Sequence, residues 1–307
     1  MTRARDELTS IVVVAADSGR ALRESVDRAL ASTAAIELIL VDNASQDDEP
    51  MRARERHAED PRFAVIANDA NHGFGPACNE GAAAASGDSL LFLNPDCFIE
   101  PDTIARLRVI LARDPALGLL GVNVRTPEGV QARANRRRDP TFRRVLMTLC
   151  GLARFETRWP ALAGVEMPPI PESQDDVERV DAVSGACMFV RRDAFERVGG
   201  FDEQYFLHVE DLDLCRRIRE AGYAVAIAHA VHVVHAQGSS SAHRPLFVAM
   251  HKRRGMWRYF TKFDACARNP LARALVWFGL WLRFAATALA YRFSALAAKA
   301  RGRISRQ

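Results

Sequence analysis

The segment SIVVVAADSGRALRESVDRALASTAAIELILVDN, residues 10–43, reads as strand, helix, strand. Its ends, SIVVVAA (10–16) and IELILVDN (36–43), are continuous apolar runs typical of strands covered on both faces, and the charged stretch between them has helical patterning near 19–31. The grammar repeats downstream. A second helix leads to RFAVIAN (62–68), a helix from about Pro76 to Ala85 to SLLFLNPD (89–96), and a helix from about Asp102 to Arg113 to LGLLGVNV (117–124). Such alternation predicts an α/β fold whose mostly parallel central sheet is flanked by helices.

Ligands of these sheets collect beyond the carboxyl ends of the strands, so the residues after each run matter most. Asp42, Asn43 and Ser45 follow the second strand, Asn68, Asn71 and Gly73 the third, Asn94 and Asp96 the fourth. Three loops therefore converge on one polar crevice. Residues 133–176 break the rhythm, with Arg136, Arg137 and Arg138 in a row and Pro160, Pro168, Pro169 and Pro171 spread along the stretch, and read as an insertion or mobile flap. Regular structure resumes with DAVSGACMFVRR (181–192), a helix from about Val209 to Ala221, a strand YAVAIA (223–228) and HVVHAQGSS (232–240).

Composition narrows the class. A chain of 307 residues, 49% hydrophobic and 26% charged, is neither disordered nor fibrous. Six cysteines without a Cys-x-x-Cys pair support neither a zinc ribbon nor a disulfide scaffold, and the first ten residues lack a secretory signal, so a reducing cytoplasm is expected. The net charge of +4 hides an asymmetry: residues 244–306 carry 14 Lys/Arg against the single acid Asp264, or +13, and the remainder carries −9. Trp257, Trp277 and Trp281 lie in that basic tail, a combination suited to anionic headgroups rather than nucleic acid. Its runs ALVWFGLWL (274–282) and FAATALAY (284–291), separated by Arg283, each fall short of the roughly 20 apolar residues of a spanning helix. Peripheral attachment at the inner face of the cell membrane is expected, with a packed helical hairpin or a homo-oligomer contact as the bland alternative.

The first strand is not followed by G-x-G-x-x-G, and no Walker loop exists, so phosphate binding must use a metal or basic side chains. Asp96, two residues after Asn94, either holds a magnesium or manganese ion that shares its shell with substrate phosphates or caps the next turn. Helical spacing puts Asp211 on the face of Leu214, Cys215 and Ile218, and puts Asp213, Arg216 and Glu220 on the opposite side. Asp211 is thus an inward acid and the favoured general base. Asp213 reads as a solvated charge, and Glu210 as either that or a partner in the chemistry. His232 and His235 sit in an extended, valine-rich segment, where at most one reaches the site and a histidine satisfied at the sheet edge is the default.

The pieces together resemble glycosyltransferase family 2, in its bacterial rhamnosyltransferase-like branch. The likeness runs from about residue 9 to 243 and rests on ELILVDNAS (37–45), NHGFGPACNEG (71–81), LFLNPD (91–96), SGACMFVRRDAFERVGGFDEQYFLHVEDLDLCRR (184–217) and HAQGSS (235–240). It implies the GT-A nucleotide-diphospho-sugar transferase fold over residues 9–243, followed by a basic, helical C-terminal tail at 244–307. It also implies that Asp42 faces the nucleotide base, with Asn43, Ser45, Asn71, Gly73, Asn79 and Asn94 around the sugar-nucleotide pocket. Asp96 would close the family's D-x-D element with His235 as a further metal ligand. Gly185, Ala186 and Cys187 would wall the acceptor side, and Asp211 would be the base of the Glu210–Asp211 pair. The chain departs from the pattern at Asn94, where an aspartate is usual, and at Ala15-Ala16-Asp17, where relatives carry a Thr/Tyr/Asn-type turn.

The implied activity is inverting transfer of a sugar, L-rhamnose from a dTDP donor being one candidate, to a hydroxyl of a lipid-linked or polysaccharide acceptor. Two rivals are weighed. A nucleotidyltransferase would show a Gly/Arg/Lys-rich loop after the first strand, which is missing. A non-catalytic sugar-nucleotide-binding or scaffold subunit is compatible with the altered D-x-D element.

Overall fold

A computed structural model describes residues 7–168, 177–236 and 244–304 of the chain. Pro169, Pro171 and the Gly238-Ser239-Ser240 end of the last motif lie outside the described residues. The first half follows the predicted alternation: β1 (Thr9–Ala15), α1 (Ala21–Leu30), β2 (Ile36–Asp42), α2 (Glu49–Arg56), β3 (Phe63–Ala67), α3 (Phe74–Ala84), β4 (Ser89–Leu93), a two-residue β5 (Cys97–Phe98), α4 (Thr103–Arg113) and β6 (Leu117–Arg125). The insertion supplies β7 (Arg136–Arg137) and α5 (Phe142–Leu149). Then come β8 (Val177–Arg179), β9 (Ala182–Val183), β10 (Cys187–Arg191), α6 (Arg192–Arg197), α7 (Glu210–Glu220) and β11 (Ala224–His235). The chain closes with α8 (Pro245–Phe263) and α9 (Pro270–Ile304).

The central sheet runs β3-β2-β1-β4-β10-β6-β11-β5, with β8 also paired to β11. Its neighbours β3, β2, β1 and β4 are parallel, as are β6 and β11, while β10 runs antiparallel between β4 and β6. Side chains alternate across the sheet as period-two geometry requires. Ile11, Val13, Leu91 and Leu93 pack with Leu22 and Val26 of α1 and Leu107 of α4 on one face. Val12, Val14, Leu90 and Phe92 pack with Ala77 of α3 and Leu214 and Ile218 of α7 on the other. Phe92, Phe195 and Phe201 meet at centroid distances of 5.0 to 5.7 Å and close that second core.

The insertion is more structured than its sequence pattern suggests. β7 pairs antiparallel with β9, setting Arg136 opposite Val183 and Arg137 opposite Ala182. Beyond it Asp139 is a buried hub that accepts from Arg216, Arg219 and the Tyr259 hydroxyl. The strand expected at 223–228 and the extended segment after it are one strand, β11, with a register irregularity between Ala228 and His232.

Two expectations need correction. Asp213 is fully buried rather than solvated, because α8 covers the second face of α7: Lys262 Nζ lies 2.6 Å from Asp213 Oδ2, and Arg217 pairs with its other oxygen. A single-face period argument cannot foresee a helix covered on both sides. The two apolar runs of the tail are also not separate. Arg283 is a good helix former and does not interrupt α9, so Pro270–Phe293 is one stretch of 24 residues, long and apolar enough by length and composition to cross a membrane. None of its most apolar window is buried, and Leu271, Leu275, Phe278, Leu282 and Phe293 are at least 60% exposed.

Candidate functional site

The polar crevice exists at the expected end of the sheet. A cavity of about 560 Å³ is lined by Asn43, Asn71, Gly73, Asn94 and Asp96 from the strand-end loops, by Phe206 and His208 before α7, by His235, and by Arg244 and Phe247 at the start of α8. Asn43 ties the loops together. Its Nδ2 donates to Asn71 Oδ1 at 3.0 Å and to the Gly73 carbonyl at 3.1 Å, and its Oδ1 accepts from the His72 amide at 3.0 Å. Gly73 has φ +97°, and a Cβ there would sit 2.6 Å from the Phe206 carbonyl oxygen, so no other residue fits. The close approach lets the Phe74 amide donate to that carbonyl at 2.8 Å, which fixes the segment before α7 against the start of α3.

Asp96 and His235 are brought together by the short strand β5. His235 stands opposite Cys97 in the β5–β11 pairing, and its Nε2 lies 2.9 Å from Asp96 Oδ1. The family likeness joins these two residues, whereas the strand pattern does not, because two residues carry no detectable period. A carboxylate and an imidazole facing a cavity suit a divalent cation that completes its shell with phosphate oxygens and water. Among the described residues no group of three His, Cys, Asp or Glu side chains could hold a metal alone.

Asp211 and Glu210 occupy the first turn of α7 beside this cavity and are not part of its lining. A short backbone path joins the two places. Gly185 donates its amide to Asp211 Oδ2 at 3.0 Å, and the next residue, Ala186, accepts from the Asn94 amide at 2.9 Å. Gly185 lies close against this side chain: a Cβ would meet the Asp211 carboxylate at 3.1 Å, so a larger residue would push the carboxylate out of place by a few tenths of an ångström. Arg137, reaching in from β7, pairs with Asp211 and also donates to the Val183 carbonyl.

The carboxylate pair is split electrostatically. Burial, followed by the charge of Asp211, pushes the Glu210 carboxyl up to about 8. Burial acts on Asp211 too, but the Arg137 guanidinium, helped by the Leu212 and Gly185 amides, outweighs it and holds that carboxyl below its ordinary value. Glu210 is thus the neutral member near pH 7 and Asp211 the ionised one. His208 is pushed down to about 4, first by burial and then by Lys252 of α8. His208 and Val209 both have positive φ, +66° and +78°, a strained conformation for a β-branched residue and one that clusters at functional sites.

Several expected site residues do other work. Asn79 does not line the cavity; its Nδ2 donates to the Phe201 carbonyl at 3.0 Å and its Oδ1 accepts from the Phe201 amide at 2.8 Å, pinning the loop before α7. Asp42 and Ser45 also lie outside the lining, Asp42 Oδ1 accepting from the Ser45 amide at 2.9 Å. Cys187 is not a wall residue. It is fully buried between β4 and β6, and burial raises its thiol to about 12. Arg137 and His208 were missed: the first lies in an insertion without periodicity, and the strain at the second is invisible in sequence.

Solved structures share this architecture and define the class. The mannosyltransferase PcManGT from Pyrobaculum calidifontis, in complex with GDP-Man and Mn2+, matches 97% of this chain and 80% of its own with a TM-score of 0.57 at 18% identity. The fold is therefore the GT-A glycosyltransferase fold. The chain belongs to glycosyl transferase family 2, whose model matches residues 10–199, while that of glycosyl transferase family group 2 matches residues 172–299. It is 30% identical over 227 residues to N-acetylglucosaminyl-diphospho-decaprenol L-rhamnosyltransferase of Mycobacterium tuberculosis, spanning 70% of this chain and 71% of that protein. It is also 29% identical over 153 residues to rhamnosyltransferase WbbL of Escherichia coli K12, covering 49% of this chain and 53% of that one.

The raised proton affinity of Glu210 has a consequence for stability. A carboxyl whose folded value of about 8 exceeds its ordinary 4.5 contributes stability that is complete below 4.5 and lost as pH rises through 8. In urea unfolding the protein should therefore lose stability relative to Glu210→Gln between about pH 5 and pH 8, since glutamine cannot ionise. A stability difference that does not change with pH would contradict the assignment.

Proposed function

We propose that this glycosyltransferase moves a sugar from a nucleoside diphosphate donor to a hydroxyl of a lipid-linked or polysaccharide acceptor, with inversion at the anomeric carbon. The observation that carries the reading is the buried Asp211, paired with Arg137 and joined through Gly185 and Ala186 to a cavity that presents Asp96 and His235. Rhamnose is the sugar favoured by the named rhamnosyltransferase relatives, with dTDP the carrier expected from the family likeness, and a polyprenyl-diphosphate-linked sugar is the acceptor favoured by the mycobacterial relative.

In this reading Asn43, Asn71, Gly73 and Asn94 receive the donor, with Asp42 and Ser45 fixing the loop beside the nucleotide and Asn79 fixing the wall across from it. Gly185 and Ala186 face the acceptor. The acceptor oxygen attacks the anomeric carbon as its proton passes to Asp211, and the bond from that carbon to the diphosphate breaks, releasing the nucleoside diphosphate. No covalent intermediate on the protein is needed. Asp96 and His235 would hold Mg2+ or Mn2+, and the bound cation would offset negative charge on the diphosphate. Glu210 stays protonated beside the base, so that only one negative charge faces the incoming hydroxyl.

A positioned base is worth about 10²- to 10⁴-fold in rate. Asp211→Asn should lose turnover by that order while its nucleotide binding, read by thermal shift with and without manganese, stays close to that of the parent chain. A folded Asp211→Asn protein with ordinary turnover would remove Asp211 from the mechanism.

We also propose that residues 9–243 form the transferase domain and residues 244–307 attach it to an anionic membrane surface at the cytoplasmic face. Two properties support this: the tail's charge of +13 and the exposed apolar length of α9. The full chain should sediment with vesicles rich in anionic lipid, and a chain ending at Asn269 should stay in solution. Equal sedimentation of both would refute the attachment.

A further inference from the structure

The three consecutive arginines of the insertion are each given to a different carboxylate. Arg136 pairs at 2.8 Å with Glu178 of β8, which belongs to the central sheet, and Arg138 at 3.0 Å with Glu156 inside the insertion. Arg137, on the opposite side of β7 from Arg136, reaches the first turn of α7. Its neighbours' bonds and the β7–β9 register hold it there, because β7 is fixed opposite Val183 and Ala182.

Around Asp211 the charge count is tight. The groups that face it are Arg137 from β7, Glu210 and Cys215 from its own helix, His208 from the preceding loop and Lys252 from α8. Burial holds His208 neutral near pH 7 and keeps the Cys215 thiol protonated. Of the cations, Arg137 makes the direct contact. Two adjacent buried carboxylates with one directly paired guanidinium can keep one ionised form at low cost, and the pairing geometry decides which. Arg137 bonds Asp211, whereas Glu210 Oε2 is buried without a hydrogen-bond partner.

The bonds also orient the carboxylate. Asp211 Oδ2 is occupied by Arg137 and by the Gly185 amide at 3.0 Å. Oδ1 accepts from the Leu212 amide at 2.8 Å, and Arg137 Nη1 stands 3.5 Å from it, at the limit of a hydrogen bond. A carboxylate has about four acceptor sites, and the 3.5 Å contact at Oδ1 is the longest of the four and the one an incoming donor would displace.

We propose that Arg137 is a positioning residue for sugar transfer: from β7 it selects Asp211 over Glu210 as the ionised carboxylate and leaves Oδ1 to take the acceptor proton. This rests on the reading of Asp211 as the base. Arg137 itself touches neither the donor nor the reacting atoms and acts through Asp211.

The test is the pH dependence of kcat and kcat/KM in the full chain and in Arg137→Met, Arg137→Lys and Arg138→Met. An arginine beside an aspartate lowers its proton affinity by about 1–3 pH units. Arg137→Met should therefore move the acid limb of kcat/KM upward by about one unit or more, with donor KM little changed. Arg137→Lys should restore most of that shift, and Arg138→Met should leave the limb in place although it disturbs the same insertion. Arg137→Gln replaces Arg137→Met should the latter not fold. An unmoved limb in a folded Arg137→Met or Arg137→Gln protein, or turnover above that of the parent, overturns the proposal. Asp211→Asn separates the two levels: if it is inactive while the limb stays fixed in the Arg137 variants, only the role of Arg137 fails, and if it is active the base assignment fails with it.

Discussion

Three acids, Glu210, Asp211 and Asp213, are buried within the first turn of one helix, and the structure around α7 is arranged to meet that cost. The helix N-terminus favours negative charge, but its contribution of about 0.3–1 kcal/mol is small beside the several kcal/mol of desolvation per ion. Cations must come from elsewhere. Lys262 of α8 and Arg217 of α7 neutralise Asp213, and Arg137 of the insertion neutralises Asp211. Among the described residues Glu210 forms no ion pair, and burial raises its carboxyl to about 8, so that it is protonated near pH 7. The packing of α8, the pairing of β7 with β9 and the glycine at 185 are thus tied to one electrostatic problem.

The same region carries conformational strain. His208 and Val209 are held in the left-handed region between two fixed points, the Phe206 carbonyl bonded at the start of α3 and the first turn of α7. Strain of this kind costs on the order of 1–3 kcal/mol per residue and persists only where the surroundings over-determine it. Here they do so through Asn43, which knots the loops after β2 and β3, and through Asn79, which pins Phe201. These residues position the cleft without all of them lining it.

Much of this was legible in the sequence because buried parallel strands are written as unbroken apolar runs and ligand sites follow their carboxyl ends. Residues 10–43 suffice for the βαβ unit, and helical spacing alone turns Asp211 inward. Part of what the sequence hides depends on partners supplied from far along the chain. Asp213 is buried by α8, some fifty residues on, whereas the meeting of His235 with Asp96, which the family likeness implied, runs through a strand of two residues that has no pattern of its own. Arg137 lies in a segment with no period at all. Cys187 was placed on the acceptor wall by family likeness, yet the alternation of β10 puts it in the core. The apolar runs of α9 were divided at Arg283 by composition, whereas backbone continuity ignores a single charge.

In the proposed mechanism one carboxylate base drives a single displacement at the anomeric carbon, with no nucleophile on the protein. The anomeric configuration of the product, read by proton NMR as it forms from a nucleoside diphosphate sugar that the enzyme turns over, addresses this most directly. The account predicts a product of configuration opposite to the donor. A product that retains the donor configuration would contradict it, since retention requires either a covalent intermediate or front-face attack, and neither calls for a base where Asp211 stands.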